Sequence, residues 1–179
     1  MNLSNVLTLI RVAVIPIIVI CIYLKSPFFG WTAFVLFCLA SITDYFDGYF
    51  ARLRNEVTNF GTFLDPIADK LLIVFVLIGL SINLDSFLIG FISAIIISRE
   101  IWVAALRDIN SRNNQSDKTK VTFLAKTKTA IQMLSILMYL FGLTINNMMV
   151  LFFADIILII ALLVTIQTGF QYTISTFKK

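Results

Sequence analysis

Residues 148–166 read MMVLFFADIILIIALLVTI, a run of nineteen positions with a single charged side chain. A helix needs roughly 20 predominantly apolar residues to cross the hydrocarbon core of a bilayer, so this run predicts a membrane-spanning helix. The composition agrees, since 59% of the 179 residues are hydrophobic and the mean hydropathy is +0.95. Long apolar runs, rather than alternating segments of about ten residues, exclude a transmembrane β-barrel. We therefore expect an all-α integral membrane protein.

Five further apolar runs precede this one. Short polar breaks separate them, among them Lys25-Ser26-Pro27 and Asn83-Leu84-Asp85. The chain shows no internal repeat, and its length leaves little room for loops. It is therefore predicted to form a single transmembrane domain over residues 1–179, a bundle of six helices. Their expected positions are about 6–24, 28–51, 62–82, 87–107, 121–143 and 147–174.

The basic residues are distributed unevenly along this pattern. The loops that follow even-numbered helices, with the adjoining helix ends and the C-terminus, contain Arg52, Arg54, Arg107, Arg112, Lys118, Lys120, Lys126, Lys128, Lys178 and Lys179. The other loops contain only Lys25. Because cytoplasmic loops of membrane proteins are enriched in lysine and arginine, both termini are expected in the cytoplasm (N-in, C-in). Nucleic acid is not an expected partner, since the chain offers no soluble basic face.

Four aspartates stand in a fixed frame within this apolar chain. The frame is Asp44-x2-Asp47-Gly48-x2-Ala51-Arg52-x8-Gly61-x3-Asp65-x3-Asp69. On helices, the first two aspartates are three residues apart and the last two are four apart, so each pair shares one face. The predicted topology places both pairs at cytoplasmic helix ends. Asp65-Pro66 is expected in the first turn of the third helix, where proline is tolerated.

Carboxylates at these positions need a positive partner. They could pair with Arg52, Arg54 and Lys70, but four carboxylates in register beside a bilayer repel one another and are costly to desolvate. Hard divalent ions prefer oxygen ligands, so the frame favours a metal site. Two ions about 3.5–4 Å apart can clamp the attacking and leaving oxygens of a phosphoryl displacement. With no histidine in the chain, a general base must be Asp, Glu, Lys or Tyr.

The eight defined positions of this frame are the signature of the CDP-alcohol phosphotransferases, which the chain therefore resembles. The resemblance implies six transmembrane helices and a CDP-activated lipid donor. It also implies two divalent metal ions, Mg²⁺ or Mn²⁺, and transfer of a phosphatidyl group to an alcohol with release of CMP. Under this resemblance the metal ligands are Asp44, Asp47, Asp65 and Asp69, and Asp69 is also the catalytic general base.

The nucleotide is expected against the first half of the signature. The resemblance places Asp44, Gly48 and Arg52 beside the cytidine diphosphate. Asn5, Thr8 and Arg11, at the beginning of the first helix, either help to hold the nucleotide or cap and anchor that helix. Both interpretations are compatible with the sequence.

The remaining segments indicate which alcohol accepts the phosphatidyl group. They resemble bacterial family members that join CDP-diacylglycerol to glycerol 3-phosphate, giving phosphatidylglycerophosphate and CMP in phospholipid biosynthesis. This implies a multi-pass protein of the bacterial plasma (inner) membrane with its active site facing the cytoplasm. A homodimer is left open. The segments that carry the likeness are 5–11, 63–70, 98–101, 105–108 and 125–133.

Four cations are expected to bind the phosphate of this acceptor, namely Arg99, Arg107, Lys126 and Lys128. Arg99 and Arg107 are eight residues apart, about two helical turns, and share a face. Arg99 interrupts an apolar run and would be costly there without an anion, which a phosphate could supply bidentately. Alternatively, Arg99 pairs with Glu100 or Asp108, although adjacent residues on a helix do not face each other. For the lysines the alternative is ordinary cytoplasmic positive charge.

Other functions share some of these features. Within the family, the acceptor could instead be inositol phosphate, serine or phosphatidylglycerol. In another class, the carboxylates could form the site of a divalent-cation transporter, but such sites lie near the bilayer midplane of repeated halves. A purely structural membrane protein would not explain the signature.

Among isolated features, Asp155 is expected to satisfy a neighbouring polar group, and Trp31, Trp102 and Tyr172 to anchor the bundle at the membrane interfaces.

Overall fold

A computed structural model describes residues 3–53, 59–113 and 123–178, and the side chains of 6–43, 64–113 and 127–178. Over these ranges the chain is all-helical and has no strand, as predicted. Each predicted helix corresponds to an observed one, with ends that differ by up to five residues. The six helices are α1 (Leu3–Tyr23), α2 (Pro27–Leu53), α3 (Asn59–Asn83), α4 (Phe87–Arg112), α5 (Phe123–Thr144) and α6 (Met148–Phe177).

Three helices are long and apolar enough to cross a membrane, judged over the described residues. They are α1 within Val6–Tyr23, α4 and α6, while α2 contains a shorter apolar segment, Pro27–Thr43. The other two helices carry charged residues in their N-terminal halves, Asp65, Asp69 and Lys70 in α3 and Lys126 and Lys128 in α5. Large hydrophobic side chains also cover the outside of the bundle, including Phe28, Phe87 and Met148. An apolar exterior of this extent fits a lipid environment better than water.

The helices form a closed ring. Among the described residues, the order of contact around the ring is α2, α1, α3, α4, α6, α5 and back to α2, and α3 also touches α5 across the middle. Apolar side chains from all six helices fill the centre. They include Ile18, Phe37, Leu77, Ile92, Ile136 and Leu158.

Polar contacts at the two ends of the ring fix the helix directions. The Thr8 hydroxyl near the beginning of α1 donates to Asp65 near the beginning of α3. At the opposite end, the Asn83 amide donates to the carbonyl of Ile22, over 2.6 Å, where both helices end. Helices α4 and α6 run in the same direction, because Arg99 contacts Thr165 and, further along both helices, Asn110 contacts Thr176. The N-terminal halves of α1, α3 and α5 therefore meet the C-terminal halves of α4 and α6 at one end, which we call the site end.

Three tight turns lie at the other end. Each has one residue with positive φ, Lys25 (48°), Asp85 (48°) and Asn146 (50°). A left-handed residue directly after a helix satisfies its last carbonyls and reverses the chain. These turns make α1 antiparallel to α2, α3 to α4, and α5 to α6.

The predicted beginning of α3 is wrong. The helix begins at Asn59, so Pro66 is its eighth residue and lies inside it rather than in the first turn. Proline has no N–H to donate to the carbonyl four residues earlier, yet the helix continues through it. Hydropathy placed the beginning too late because Asn59, Gly61 and Thr62 lower the mean hydropathy of the first two turns of α3.

Candidate active site

The backbone carries both aspartate pairs on continuous helices, as predicted. Asp44 and Asp47 lie in the last three turns of α2, and Asp65 and Asp69 lie one turn apart in α3. Several predicted roles concern side chains outside the described residues and stay predictions. The positions concerned are Asn5, Asp44, Asp47, Gly48, Arg52 and Lys126.

Helix α1 supports the second aspartate pair. Thr8 Oγ1 donates to Asp65 Oδ1 over 2.7 Å, and Arg11 Nη1 donates to Asp69 Oδ1 over 3.0 Å. Thr8 and Arg11 are buried, whereas both carboxylates are partly exposed. Neighbours of this kind fix the orientation of carboxylates that act as ligands. Thr8 thus has a role that neither sequence interpretation included, which is to hold an aspartate in place.

The donor chemistry of this end fits a hard divalent cation. Asp65 and Asp69 present carboxylate oxygens from one face of α3, and oxygen is the ligand that such ions prefer. Two carboxylates do not fill the coordination shell of such an ion, which would need further ligands, and the described side chains form no cluster of three acidic, cysteine or histidine groups. The aspartates of α2 are the candidates for those further ligands.

A cavity of about 190 Å³ opens beside Asp69, between α3, α4 and α5. It brings together three of the four cations predicted to bind the acceptor, Arg99, Arg107 and Lys128. The residues around it are Pro66, Asp69, Lys70, Ile73, Val74, Ile96, Arg99, Glu100, Val103, Ala104, Arg107, Lys128, Thr129 and Gln132.

Glu100 lies at the centre of these charges. Its Oε1 is 2.9 Å from Arg99 Nη1 and also accepts a hydrogen bond from Lys128 Nζ. Lys70 Nζ is 3.6 Å from Oε2. One carboxylate is therefore shared by cations from α3, α4 and α5. Sequence reasoning missed this role because two of the partners are distant in the chain.

Arg99 and Glu100 do pair, so the expectation that adjacent positions disfavour this contact is wrong. The two residues are adjacent, but their side chains are long enough to meet over the cavity rather than on the helix surface. The alternative partner, Asp108, instead pairs with Arg112 over 2.9 Å. Arg99, which is predicted to bind the acceptor phosphate, thus already pairs with a carboxylate of the protein.

Helix α6 holds the other side of Arg99. Arg99 Nε donates to the carbonyl of Thr165 over 3.2 Å, and Nη2 donates to Thr168 Oγ1 over 2.7 Å. The guanidinium carbons of Arg99 and Arg107 lie 5.9 Å and 5.6 Å from the ring centre of Tyr172. A sequence signal was present: positions 165, 168 and 172 carry polar groups at helical spacing on one face of an apolar helix.

The expectation that Tyr172 is an interfacial anchor is wrong. Its side chain is only 4% exposed and packs with Val103 and Leu106 of α4. By contrast, the expectation for Asp155 is confirmed, since the Tyr139 hydroxyl donates to its carboxylate and joins α5 to α6.

Comparisons with known proteins agree with the aspartate frame. The sequence model described as CDP-alcohol phosphatidyltransferase matches residues 1–167. A Rickettsia bellii protein named CDP-diacylglycerol–glycerol-3-phosphate 3-phosphatidyltransferase is 44% identical over 172 residues, 96% of this chain and 93% of that protein. The Escherichia coli K12 protein of the same name is 36% identical over 135 residues, 75% of this chain and 74% of that protein. The resemblance predicted from the sequence is thereby confirmed: the chain belongs to the CDP-alcohol phosphatidyltransferase family.

Proposed function

We propose that this protein transfers the phosphatidyl group of CDP-diacylglycerol to sn-glycerol 3-phosphate, giving phosphatidylglycerophosphate and CMP. Family membership supports phosphatidyl transfer over the cation-transport alternative. The names of the Rickettsia and Escherichia relatives support this donor and acceptor.

The observation that carries the proposal for the acceptor is the charge around the cavity beside Asp69. Four cationic side chains and two carboxylates line it, a formal balance of +2. A phosphate monoester carries about −1.5 to −2 charges at neutral pH, so an acceptor with its own phosphate complements this balance. Serine brings no such group. Arginine can also bind a phosphate through two parallel hydrogen bonds.

The reaction then follows from the placement of Asp69. A hydroxyl of the bound acceptor attacks the phosphorus that bears diacylglycerol, and Asp69 accepts its proton. The bond between that phosphorus and the bridging oxygen breaks, and the electron pair leaves with CMP. Arg11 holds Asp69 toward the acceptor while α4 and α5 hold the phosphate. The four aspartates would hold two divalent ions, whose charge offsets that of the diphosphate.

The same proposal includes a membrane arrangement. All six helices cross the bacterial inner membrane, with both termini and the site end in the cytoplasm. The excess of basic residues near the site end supports this orientation. It also lets a soluble, charged acceptor reach the cavity while the lipid donor enters from the bilayer.

An acceptor comparison tests the proposal. Purified protein is given CDP-diacylglycerol and Mg²⁺ with glycerol 3-phosphate, inositol phosphate, serine or phosphatidylglycerol. We expect lipid product from glycerol 3-phosphate alone. Product from serine or phosphatidylglycerol, and none from glycerol 3-phosphate, would remove the proposed acceptor.

A pair of arginine variants on α4 adds a matched control. Arg107→Gln removes one cation from the cavity, and we expect KM for glycerol 3-phosphate to rise about tenfold or more. Arg112→Gln removes an exposed arginine five residues further along and should leave KM unchanged. Equal effects of the two substitutions would show that Arg107 acts only through general charge.

A further inference from the structure

We propose that four residues of α6 position Arg99 and Arg107 for the acceptor phosphate and thereby set the affinity for the acceptor. They are Thr165, Thr168, Gly169 and Tyr172, which we call the α6 cradle. The inference rests on the proposed function, and it concerns residues that hold the arginines rather than residues that react. Positions 168, 169 and 172 also lie beyond the last residue of the family match.

Hydrogen bonds fix the direction of the Arg99 guanidinium. Thr168 Oγ1 donates its proton to the carbonyl of Val164 over 2.8 Å, which leaves its lone pairs to accept from Arg99 Nη2. The Thr165 carbonyl accepts from Nε of the same guanidinium. Both threonines are fully buried. Two acceptors on a rigid helix therefore hold one edge of the guanidinium, and the opposite edge faces Glu100 and the cavity.

Gly169 provides the space for this arrangement. A Cβ at this position would lie 3.1 Å from Cγ and 3.4 Å from Nε of Arg99. The 3.1 Å distance is shorter than an ordinary carbon–carbon contact, so an alanine would require the Arg99 side chain to shift by a few tenths of an ångström. Small residues commonly let helices approach closely in membranes. Here the missing side chain lets an arginine of α4 lie across α6.

Tyr172 couples the second arginine to the first. Its ring lies within 6 Å of both guanidinium carbons, and a buried aromatic ring attracts cations through its negative face. The ring also packs against Val103 and Leu106, on the turns of α4 between the two arginines. Tyr172 therefore holds two mutually repelling cations at a fixed separation.

The consequence is an anion site that is largely formed before the acceptor arrives. Arginine loses much side-chain freedom when it is fixed, and a site that has already lost it binds its ligand more tightly. The α6 cradle is thus expected to act on acceptor affinity and to leave the donor and the chemical step unchanged.

Three substitutions test the cradle by kinetics. Gly169→Ala displaces Arg99, Thr168→Val removes one acceptor at nearly constant volume, and Tyr172→Leu removes the ring. Each should raise KM for glycerol 3-phosphate about tenfold, with kcat and KM for CDP-diacylglycerol within about twofold of wild type. Tyr172→Phe keeps the ring and should restore KM to near the wild-type value. Phe170→Ala, at the exposed neighbour of Gly169, is the control and should change nothing.

Binding of inorganic phosphate, followed by the melting temperature of the purified protein, provides a second measurement that needs no catalysis. We expect wild type and Phe170→Ala to be stabilised by phosphate, and the cradle variants to need about ten times more of it. If phosphate binding follows this order but no lipid product forms, the proposed function fails and the cradle stands. Unchanged phosphate binding in all cradle variants would overturn the cradle. So would a failure of wild type to bind phosphate. So would a fall in kcat accompanied by a rise in KM for both substrates.

Discussion

Glu100, Lys70, Arg99 and Lys128 form a charged cluster at the cavity, which we call the cavity cluster. Replacement of Glu100 by glutamine removes the negative charge at its centre and keeps the shape of the side chain. Glu100 is 16% exposed, and its partner Lys128 is only 6% exposed at the side chain. The substitution therefore leaves a buried ammonium group beside Arg99 without a negative neighbour in that cluster. Breaking a buried ion pair in this way costs about 3–5 kcal/mol of unfolding free energy.

The structure places the expected cost near the lower end of that range. Lys70, the third partner, is 40% exposed and lies 3.6 Å from the carboxylate, so water screens its contribution. The glutamine oxygen can still accept one hydrogen bond from Lys128 or Arg99, which offsets part of the loss. We expect the free energy of unfolding of Glu100→Gln to fall by about 3 kcal/mol.

Unfolding in detergent, with and without inorganic phosphate, measures this effect. Phosphate can take the place of the lost carboxylate, so it should raise the melting temperature of Glu100→Gln more than that of wild type. Asp108→Asn is the matched control, because its pair with Arg112 is exposed and such pairs contribute only about 0–1 kcal/mol.

Two results would refute this reasoning. If Glu100→Gln unfolds like wild type, the carboxylate does not hold the three cations together. If phosphate stabilises the variant and wild type equally, Glu100 does not compete with phosphate for the cations of the cluster.

Three further predictions concern the aspartates and the bundle. Asp69→Asn should lower kcat by roughly a hundredfold to ten-thousandfold with the fold intact, because the general base is lost; near-normal turnover in a steady-state assay would exclude that role. Chelation of divalent ions by EDTA should abolish transfer, and added Mg²⁺ should restore it; activity that survives complete chelation would contradict a metal centre. Tyr139→Phe leaves the part-buried Asp155 without its donor and should lower the unfolding free energy by about 1–3 kcal/mol without a change in KM for either substrate. A large KM change in that variant would show that the α5–α6 pair influences the cavity.

The six helices were predictable because apolar runs and polar breaks are local properties of the chain. The errors arose where helices extend beyond their apolar segments. Helix α4 continues to Arg112, where Asn110 is buried and its amide donates to Thr176 of α6. Helix α3 begins several residues before the predicted position. Hydropathy describes the part of a helix suited to lipid and says little about polar turns that pack against other helices.

The candidate site was predictable to the extent that its residues follow a spacing. The aspartate frame and the pair of arginines on α4 are local patterns, and the structure places Arg99, Arg107 and Asp69 at one cavity. Partners distant in sequence were not predictable in this way. Arg11 reaches Asp69 across 58 positions, and Lys128 reaches Glu100 across 28. Such pairs depend on how the helices are arranged in the ring, which no single segment encodes.

Transfer of labelled glycerol 3-phosphate into lipid, with CMP measured in the same reaction, tests the central claim most directly. Purified protein with CDP-diacylglycerol and Mg²⁺ should move the label into the organic phase and release one CMP for each labelled lipid formed. Release of CMP with the label left in water would mean hydrolysis of the donor rather than transfer. If folded protein forms neither labelled lipid nor CMP, the account is contradicted.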